Sequence, residues 1–272
     1  MNALVSSDAL ARHPAWRVFD CRHDLAKPDW GIEQYRKSHI PGALFAHLDR
    51  DLSAPQTGRN GRHPLPLAEN FVRFLERNGI HRSDQIVCYD AGPGAFAARL
   101  WWMLRWVGHQ SVAVLDGGLA KWLAEGRPVT AQVPAFSETS YAGNERAISV
   151  KVESIQRHPK DFLLVDARAP ARFRGEQEPI DPVAGRIPGA LNRFNNDNLA
   201  ADGTFKSTAA LRAEFESMLS KRKPGEVVHY CGSGVAACHN ALAMEIAGLQ
   251  GSRVYVGSWS EWISDPKRPV AR

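Results

Sequence analysis

Cysteine is scarce in this chain: four in 272 residues, at positions 21, 88, 231 and 238, with no CxxC pair among them. So few thiols in so long a chain exclude a disulfide framework, and a reducing compartment, the cytoplasm, is the expectation. No run approaches the ~18 apolar residues that a membrane span needs. The opening MNALVSSDALARHPAW lacks the basic stretch and apolar core of a secretory leader, so a mature protein with no membrane partner is expected. Charge of one sign is lacking too: Lys+Arg 34 against Asp+Glu 29 leaves +5, spread along the chain, and no nucleic-acid partner is implied. With 44% hydrophobic and 23% charged residues the chain can bury sizeable cores. At ~100–200 residues per domain, its length favours two domains.

What is present is a pattern written twice. Val18-Phe19-Asp20-Cys21-Arg22 recurs as Leu164-Val165-Asp166-Ala167-Arg168, and His39-Ile40-Pro41-Gly42-Ala43 as Arg186-Ile187-Pro188-Gly189-Ala190. Further on, Ile86 to Asp90 matches Val227 to Cys231, and Gly117 to Trp122 matches Gly257 to Trp262. Apolar β-rich runs at Arg17 to Asp20, Ile86 to Tyr89 and Val112 to Leu115 predict buried strands, as do Phe162 to Val165, Val227 to Tyr230 and Arg253 to Val256. Helical patterns at Phe71 to Asn78, Ala95 to Val107, Ala209 to Leu219 and Ala237 to Ala247 alternate with them. Such alternation implies an α/β fold in each half, a mostly parallel sheet with helices on both faces. The domains are expected at 1–130 and 148–272. Residues 131–147, rich in Ser, Thr, Gly and Pro, are expected to link them.

The most informative segment runs Val227-Val228-His229-Tyr230-Cys231-Gly232-Ser233-Gly234-Val235-Ala236-Ala237. It predicts a strand, a cysteine, a glycine-bearing loop and a helix. A cysteine at the carboxyl end of a central parallel strand lies where open α/β sheets bind ligands. Two glycines allow the backbone to curl so that successive N–H groups converge above the sulfur, and the following helix adds the positive end of its dipole. Together these favour an anion at Cys231, a thiolate nucleophile in an anion-binding cup. Cys88 and Cys21 read as core residues and Cys238 as a buried helix residue. No metal is expected at His229, Cys231, Cys238 and His239, which lack CxxC or HxxxH spacing, and no organic cofactor is required.

The paired domains, the two Ile-Pro-Gly-Ala motifs, Asp116-Gly117-Gly118 and Cys231-Gly232-Ser233-Gly234-Val235 resemble the tandem rhodanese sulfurtransferases over nearly the whole chain. In that family the first domain lacks the cysteine, and here Asp90 stands where Cys231 stands in the second. The resemblance implies two rhodanese-like domains and transfer of a sulfane sulfur through a Cys231 persulfide. The rhodanese-fold phosphatases carry Cys-x5-Arg; the sixth residue after Cys231 is Ala237, so the charge clamp for phosphoryl transfer is missing.

Cys231-Gly232-Ser233-Gly234-Val235 follows the mercaptopyruvate type of loop and departs from it at Ala236, where threonine is usual. The resemblance carries substrate-carboxylate binding to Arg172, a role that suits a planar guanidinium. The second arginine common after Glu-Pro is replaced by Ile180-Asp181, so either carboxylate binding rests on fewer cations or Arg186 compensates. Loop contacts to substrate are expected from Gly232, Gly234, Val235 and Ala236. His39 resembles a histidine placed near the catalytic serine, so Ser233 and His39, oriented by Asp29, are expected to move the proton that an enolate product needs. The expected donor is a small anion, 3-mercaptopyruvate or, as the alternative, thiosulfate. The expected acceptor is cyanide or a thiol, small or on a thioredoxin-like protein. A persulfide carrier with little turnover is the rival from outside enzymology.

Overall fold

The computed structural model describes residues 2–272; Met1 lies outside them. The chain forms two compact units. One comprises the chain up to Ala54, Pro66–Arg146 and Ala201–Phe205; the other comprises Pro55–Leu65, Ala147–Ala200 and Lys206–Arg272.

In the first unit five parallel strands, β1 (Leu4–Val5), β2 (Arg17–Asp20), β3 (Ala43–Phe45), β4 (Ile86–Tyr89) and β5 (Val112–Leu115), lie in the order β1-β5-β4-β2-β3. Alternate residues serve opposite faces. On one face Val18, Val87, Tyr89 and Ala113 pack with Leu10 of α1 (Ser7–Arg12) and Trp122 of α5 (Gly118–Ala124). On the other, the Phe19 ring meets Phe74 of α3 (Ala68–Arg77) at 5.8 Å, and α4 (Ala95–Trp106) covers β4 and β5. The helix α2 (Trp30–Lys37) precedes β3. Each face removes a continuous apolar surface from water, worth ~25 cal/mol per Å² buried.

The second unit repeats the design with four parallel strands, β6 (Leu163–Asp166), β7 (Leu191–Asn192), β8 (Val227–Tyr230) and β9 (Arg253–Val254), in the order β7-β6-β8-β9. Leu164, Val228 and Tyr230 pack with Ile155 of α6 (Val152–Arg157) and Trp259 and Trp262 of α10 (Ser258–Trp262). The opposite face carries α9 (Ala236–Ile246), where the His229 ring meets Met244 Sδ at 3.2 Å. Two further helices, α7 (Pro170–Phe173) and α8 (Thr208–Leu219), complete the unit.

Two boundaries depart from the sequence reading. The stretch expected to be a linker runs extended along the first unit as far as Arg146: Thr139 N–H donates to Glu76 O and Arg146 N–H to Trp106 O, with Tyr141 buried against His109. Backbone pairing to a helix end fixes a segment whose composition signals only irregularity. Residues 55–65, from the first half of the sequence, belong to the second unit.

Candidate active site

Cys231 stands at the carboxyl end of β8, the inner strand flanked by β6 and β9. The turn that follows is tight. Gly234 has φ +79°, and a Cβ there would lie 2.3 Å from Val256 O, so only glycine fits. The curl aims Ser233 N–H and Gly234 N–H at Cys231 Sγ, at 3.4 and 3.1 Å, before Val235 opens α9. The residues from Val256 to Ser260 hold the same loop from behind. Cys231 N–H donates to Ser258 Oγ, while Trp259 and Ser260 N–H groups donate to the carbonyls of Cys231 and Gly232. Cys231 is 3% exposed, its sulfur beneath two N–H donors and beside a helix N-terminus. Such a cup stabilises negative charge on sulfur, in a thiolate or in a persulfide.

The repeat shows how the first unit differs. Leu119 and Ala120 N–H groups donate to the carbonyls of Asp90 and Ala91, as Trp259 and Ser260 do in the second unit. At Cys231's position the Asp90 carboxylate accepts from Gly92, Gly94, Phe96 and Ala97 N–H groups. An internal carboxylate thus fills the cup. Burial holds its carboxyl above the usual carboxylate range despite those four donors. No nucleophile stands there.

The segment 55–65 supplies what sequence reasoning missed. Arg62 N–H donates to Ser260 Oγ, and Gly61 with φ +83° lies flush against the Gly257 carbonyl. This docking places His63 Nδ1 2.7 Å from Ser233 Oγ, both side chains buried. It also places the Arg62 guanidinium over Gly232, where Nη2 would lie 2.7 Å from an added Cβ. The segment has no counterpart among the repeated motifs. Its only signal was a Gly-Arg-His-Pro loop, the kind of connection in which binding groups concentrate.

Arg172, carried on α7, also reaches the loop: its Nη2 and Nη1 would lie 3.5 and 3.7 Å from that Cβ on Gly232. It is held by Glu178, through Nε at 3.1 Å and Nη2 at 2.6 Å, and by Asp181 Oδ2 at 3.0 Å. Asp181 pairs with Arg62 through its other oxygen. Burial raises the Asp181 carboxyl, partly offset by the two guanidiniums. Glu178 is buried as well, but its bonds with Arg172 and the Asp181 and Ile180 N–H groups prevail and lower its carboxyl.

Three expected site residues are placed otherwise. His39 is fully buried in the first unit, stacked on Tyr35, and its ring nitrogens lie 2.7 and 3.1 Å from the carbonyls of Tyr35 and Gln132. With both nitrogens so engaged it has none for Ser233, whose histidine is His63. The Asp29 carboxylate pairs with Arg50 and lies 3.8 Å from His47 Nε2, so it does not orient His39. Arg186 lies over the Phe173 ring at 4.7 Å and donates to the Phe173 carbonyl, bound into the α7 region rather than reaching the loop as a second cation. The His229 imidazole is pushed down to about 3 by burial and stays neutral in the core. Cys238 donates its thiol to the Gly234 carbonyl at 3.2 Å, as a loop-bracing helix residue does.

Comparison with known proteins agrees with this architecture. The model of the rhodanese-like domain matches residues 6–125 and 151–265. A Pseudomonas aeruginosa protein named "Probable 3-mercaptopyruvate sulfurtransferase" is 48% identical over 95% of this chain and 93% of its own. The thiosulfate sulfurtransferase of Mus musculus is 36% identical over 96% and 92%. The structure of 3-mercaptopyruvate sulfurtransferase from Leishmania major superposes with a TM-score of 0.88 at 30% identity, over 98% of this chain and 75% of that one. The chain belongs to the rhodanese family, one rhodanese-like domain in each half.

Proposed function

We propose that the protein is a sulfurtransferase that takes sulfur from 3-mercaptopyruvate onto Cys231 and passes it to a thiol or to cyanide. The observation that carries this reading is a cysteine sulfur receiving two backbone N–H groups, with the Ser233–His63 pair and the guanidiniums of Arg62 and Arg172 around one loop. The relatives named for 3-mercaptopyruvate support the choice of donor.

In the first half-reaction the Cys231 thiolate attacks the donor's sulfur. An S–S bond forms and the donor's C–S bond breaks, its electron pair passing to carbon as the enolate of pyruvate. That carbon takes a proton relayed through Ser233 Oγ from His63, and Cys231 is left as the persulfide. The carboxylate of the donor is held at Arg172. In the second half-reaction a thiolate attacks the outer sulfur and leaves as its own persulfide, or cyanide leaves as thiocyanate, and the Cys231 thiolate returns. The loop N–H groups receive negative charge on sulfur in both halves, so the cup need not reorganise between them. The acceptor fits a small thiol or the exposed thiol of a thioredoxin-like protein. No helix among the described residues is long and apolar enough to cross a membrane. All four cysteines are free thiols, in keeping with the cytoplasm as the site of action.

Steady-state turnover with the two donors tests the reading. The expected result is a higher kcat/KM with 3-mercaptopyruvate; a higher kcat/KM with thiosulfate would overturn the donor assignment.

A further inference from the structure

Parallel strands exchange their hydrogen bonds in a fixed order, and β8 and β9 follow it up to the nucleophile. His229 is in register with Val254, and Tyr255 N–H donates to His229 O at 2.9 Å. The next rung of that ladder is Cys231 N–H to Tyr255 O. It is not made directly. Cys231 N–H donates to Ser258 Oγ at 3.1 Å, and the same hydroxyl donates to Tyr255 O at 2.9 Å. One oxygen is thus spliced into the ladder at the residue that carries the sulfur, and the ends of the two strands are held apart by its width.

The splice sits on an unfavourable backbone. Ser258 has φ +55°, a conformation that disfavours a side chain, and it is fully buried at the start of α10. The one other described non-glycine residue with positive φ, Ser220, is an exposed helix cap. The first unit supplies the comparison. Gly118 stands at the matching place with φ +58°, bracing the loop in which Asp90 replaces the cysteine. A Cβ on Gly118 would lie 2.9 Å from Asp90 O and 3.0 Å from Gly92 O, so that turn has no room for a side chain. The same turn in the second unit admits one. The left-handed backbone is common to both units, and the hydroxyl is confined to the unit that holds the nucleophile.

Resting on the sulfurtransferase reading, we propose that Ser258 is a positioning residue for Cys231: its hydroxyl, standing in for the direct rung, sets the distance of Cys231 from β9 and so the place of the sulfur beneath the loop N–H groups. Three tethers then fix the nucleophile. Its N–H is held by Ser258 Oγ, its carbonyl by Trp259 N–H at 3.0 Å, and its sulfur by the Ser233 and Gly234 N–H groups. Removing the oxygen lets Cys231 N–H close on Tyr255 O, one neutral hydrogen bond replacing another, and draws the sulfur away from Gly234 N–H. Ser258→Gly therefore separates fold from chemistry: the ladder gains a rung and loses a left-handed side chain, while the nucleophile moves.

The test measures thermal denaturation and the single-turnover rates of Cys231 loading by 3-mercaptopyruvate and of its discharge to cyanide in Ser258→Gly, Ser258→Ala and Ser258→Thr. Ser258→Gly and Ser258→Ala both lack the hydroxyl and differ in the left-handed penalty. Both are expected to slow loading and discharge alike, by about 100-fold, the scale of an ångström's misplacement at a reacting atom. Ser258→Gly should melt no lower than the wild type, and Ser258→Ala below it. Ser258→Thr keeps the hydroxyl on a β-branched side chain that tolerates positive φ poorly, so it should melt below the wild type yet transfer sulfur faster than either. Rates that follow the hydroxyl while stability follows the backbone are a pattern that a purely structural residue does not give. The Ser258→Gly and Ser258→Ala pair decides even where Ser258→Thr does not fold. A Ser258→Gly enzyme as fast as the wild type, or rates that track the melting temperatures, would overturn the inference. The crystal structure of Ser258→Gly gives a check that needs no donor: Cys231 N–H should lie on Tyr255 O, with Gly234 N beyond hydrogen-bond reach of the sulfur, and an unmoved sulfur would overturn the inference too. A wild-type enzyme that 3-mercaptopyruvate does not load would instead overturn the reading on which it rests.

Discussion

His63 Nδ1 and Ser233 Oγ lie 2.7 Å apart, although 170 positions separate them in sequence. Both side chains are buried, and the serine's own N–H points at the Cys231 sulfur at 3.4 Å. The imidazole is thus hydrogen-bonded to the side chain of the residue whose backbone N–H meets the Cys231 sulfur. If the pair works as a proton relay, His63→Ala and Ser233→Ala should each lower kcat for pyruvate release about 100-fold. The double variant should be little worse than either single one, because the two groups act as a unit. Additive losses in the double variant would separate their roles.

Gly234 gives a sharper structural test. Its φ of +79° and the 2.3 Å approach of Val256 O to an added Cβ leave no room for a side chain. Gly234→Ala should lower stability by about 3 kcal/mol. It should also cut sulfur loading on Cys231, because the N–H of residue 234 is the shorter of the two bonds to sulfur. Thermal denaturation and loading measured side by side check both. A fully loaded, equally stable variant would contradict the account of the cup.

Much of this was legible in the sequence, because the relevant signals were local or repeated. The strand ends before Cys231 and Asp90, the glycines after Cys231 and the buried runs of β2, β4, β5 and β8 follow from periodicity and from one strand–loop–helix pattern written twice. Ser258 was less legible. It stands where the first unit has Gly118, keeps the left-handed backbone at φ +55°, and adds the hydroxyl that accepts Cys231 N–H. His39 sits in a repeated motif, but its ring is consumed by the Tyr35 and Gln132 carbonyls. His63 lies in an unrepeated loop whose place depends on tertiary docking against Gly257 and Ser260. Arg62 was hidden by the same loop, and no spacing rule links it to Asp181.

The pH dependence of stability should carry the mark of His229. Burial pushes its pKa down to about 3, against about 6.5 in an unfolded chain. The unfolded state therefore binds the proton more tightly. The stability tied to the neutral ring is complete above about pH 6.5 and is lost as pH falls toward 3, at up to about 1.4 kcal/mol per pH unit. His229→Gln removes that titration. Whatever the variant costs at pH 7, its melting temperature should fall less steeply than the wild type's between pH 6.5 and pH 4. Parallel curves would show that His229 does not titrate on unfolding in that range.

The account rests on sulfur being carried by Cys231, and mass spectrometry of the intact protein after brief exposure to 3-mercaptopyruvate tests this most directly. One added sulfur, ~32 Da, should appear, map to Cys231, disappear on addition of a thiol or cyanide, and be absent in Cys231→Ser. An unmodified wild-type protein that still releases pyruvate, or an added sulfur that survives Cys231→Ser, would contradict it.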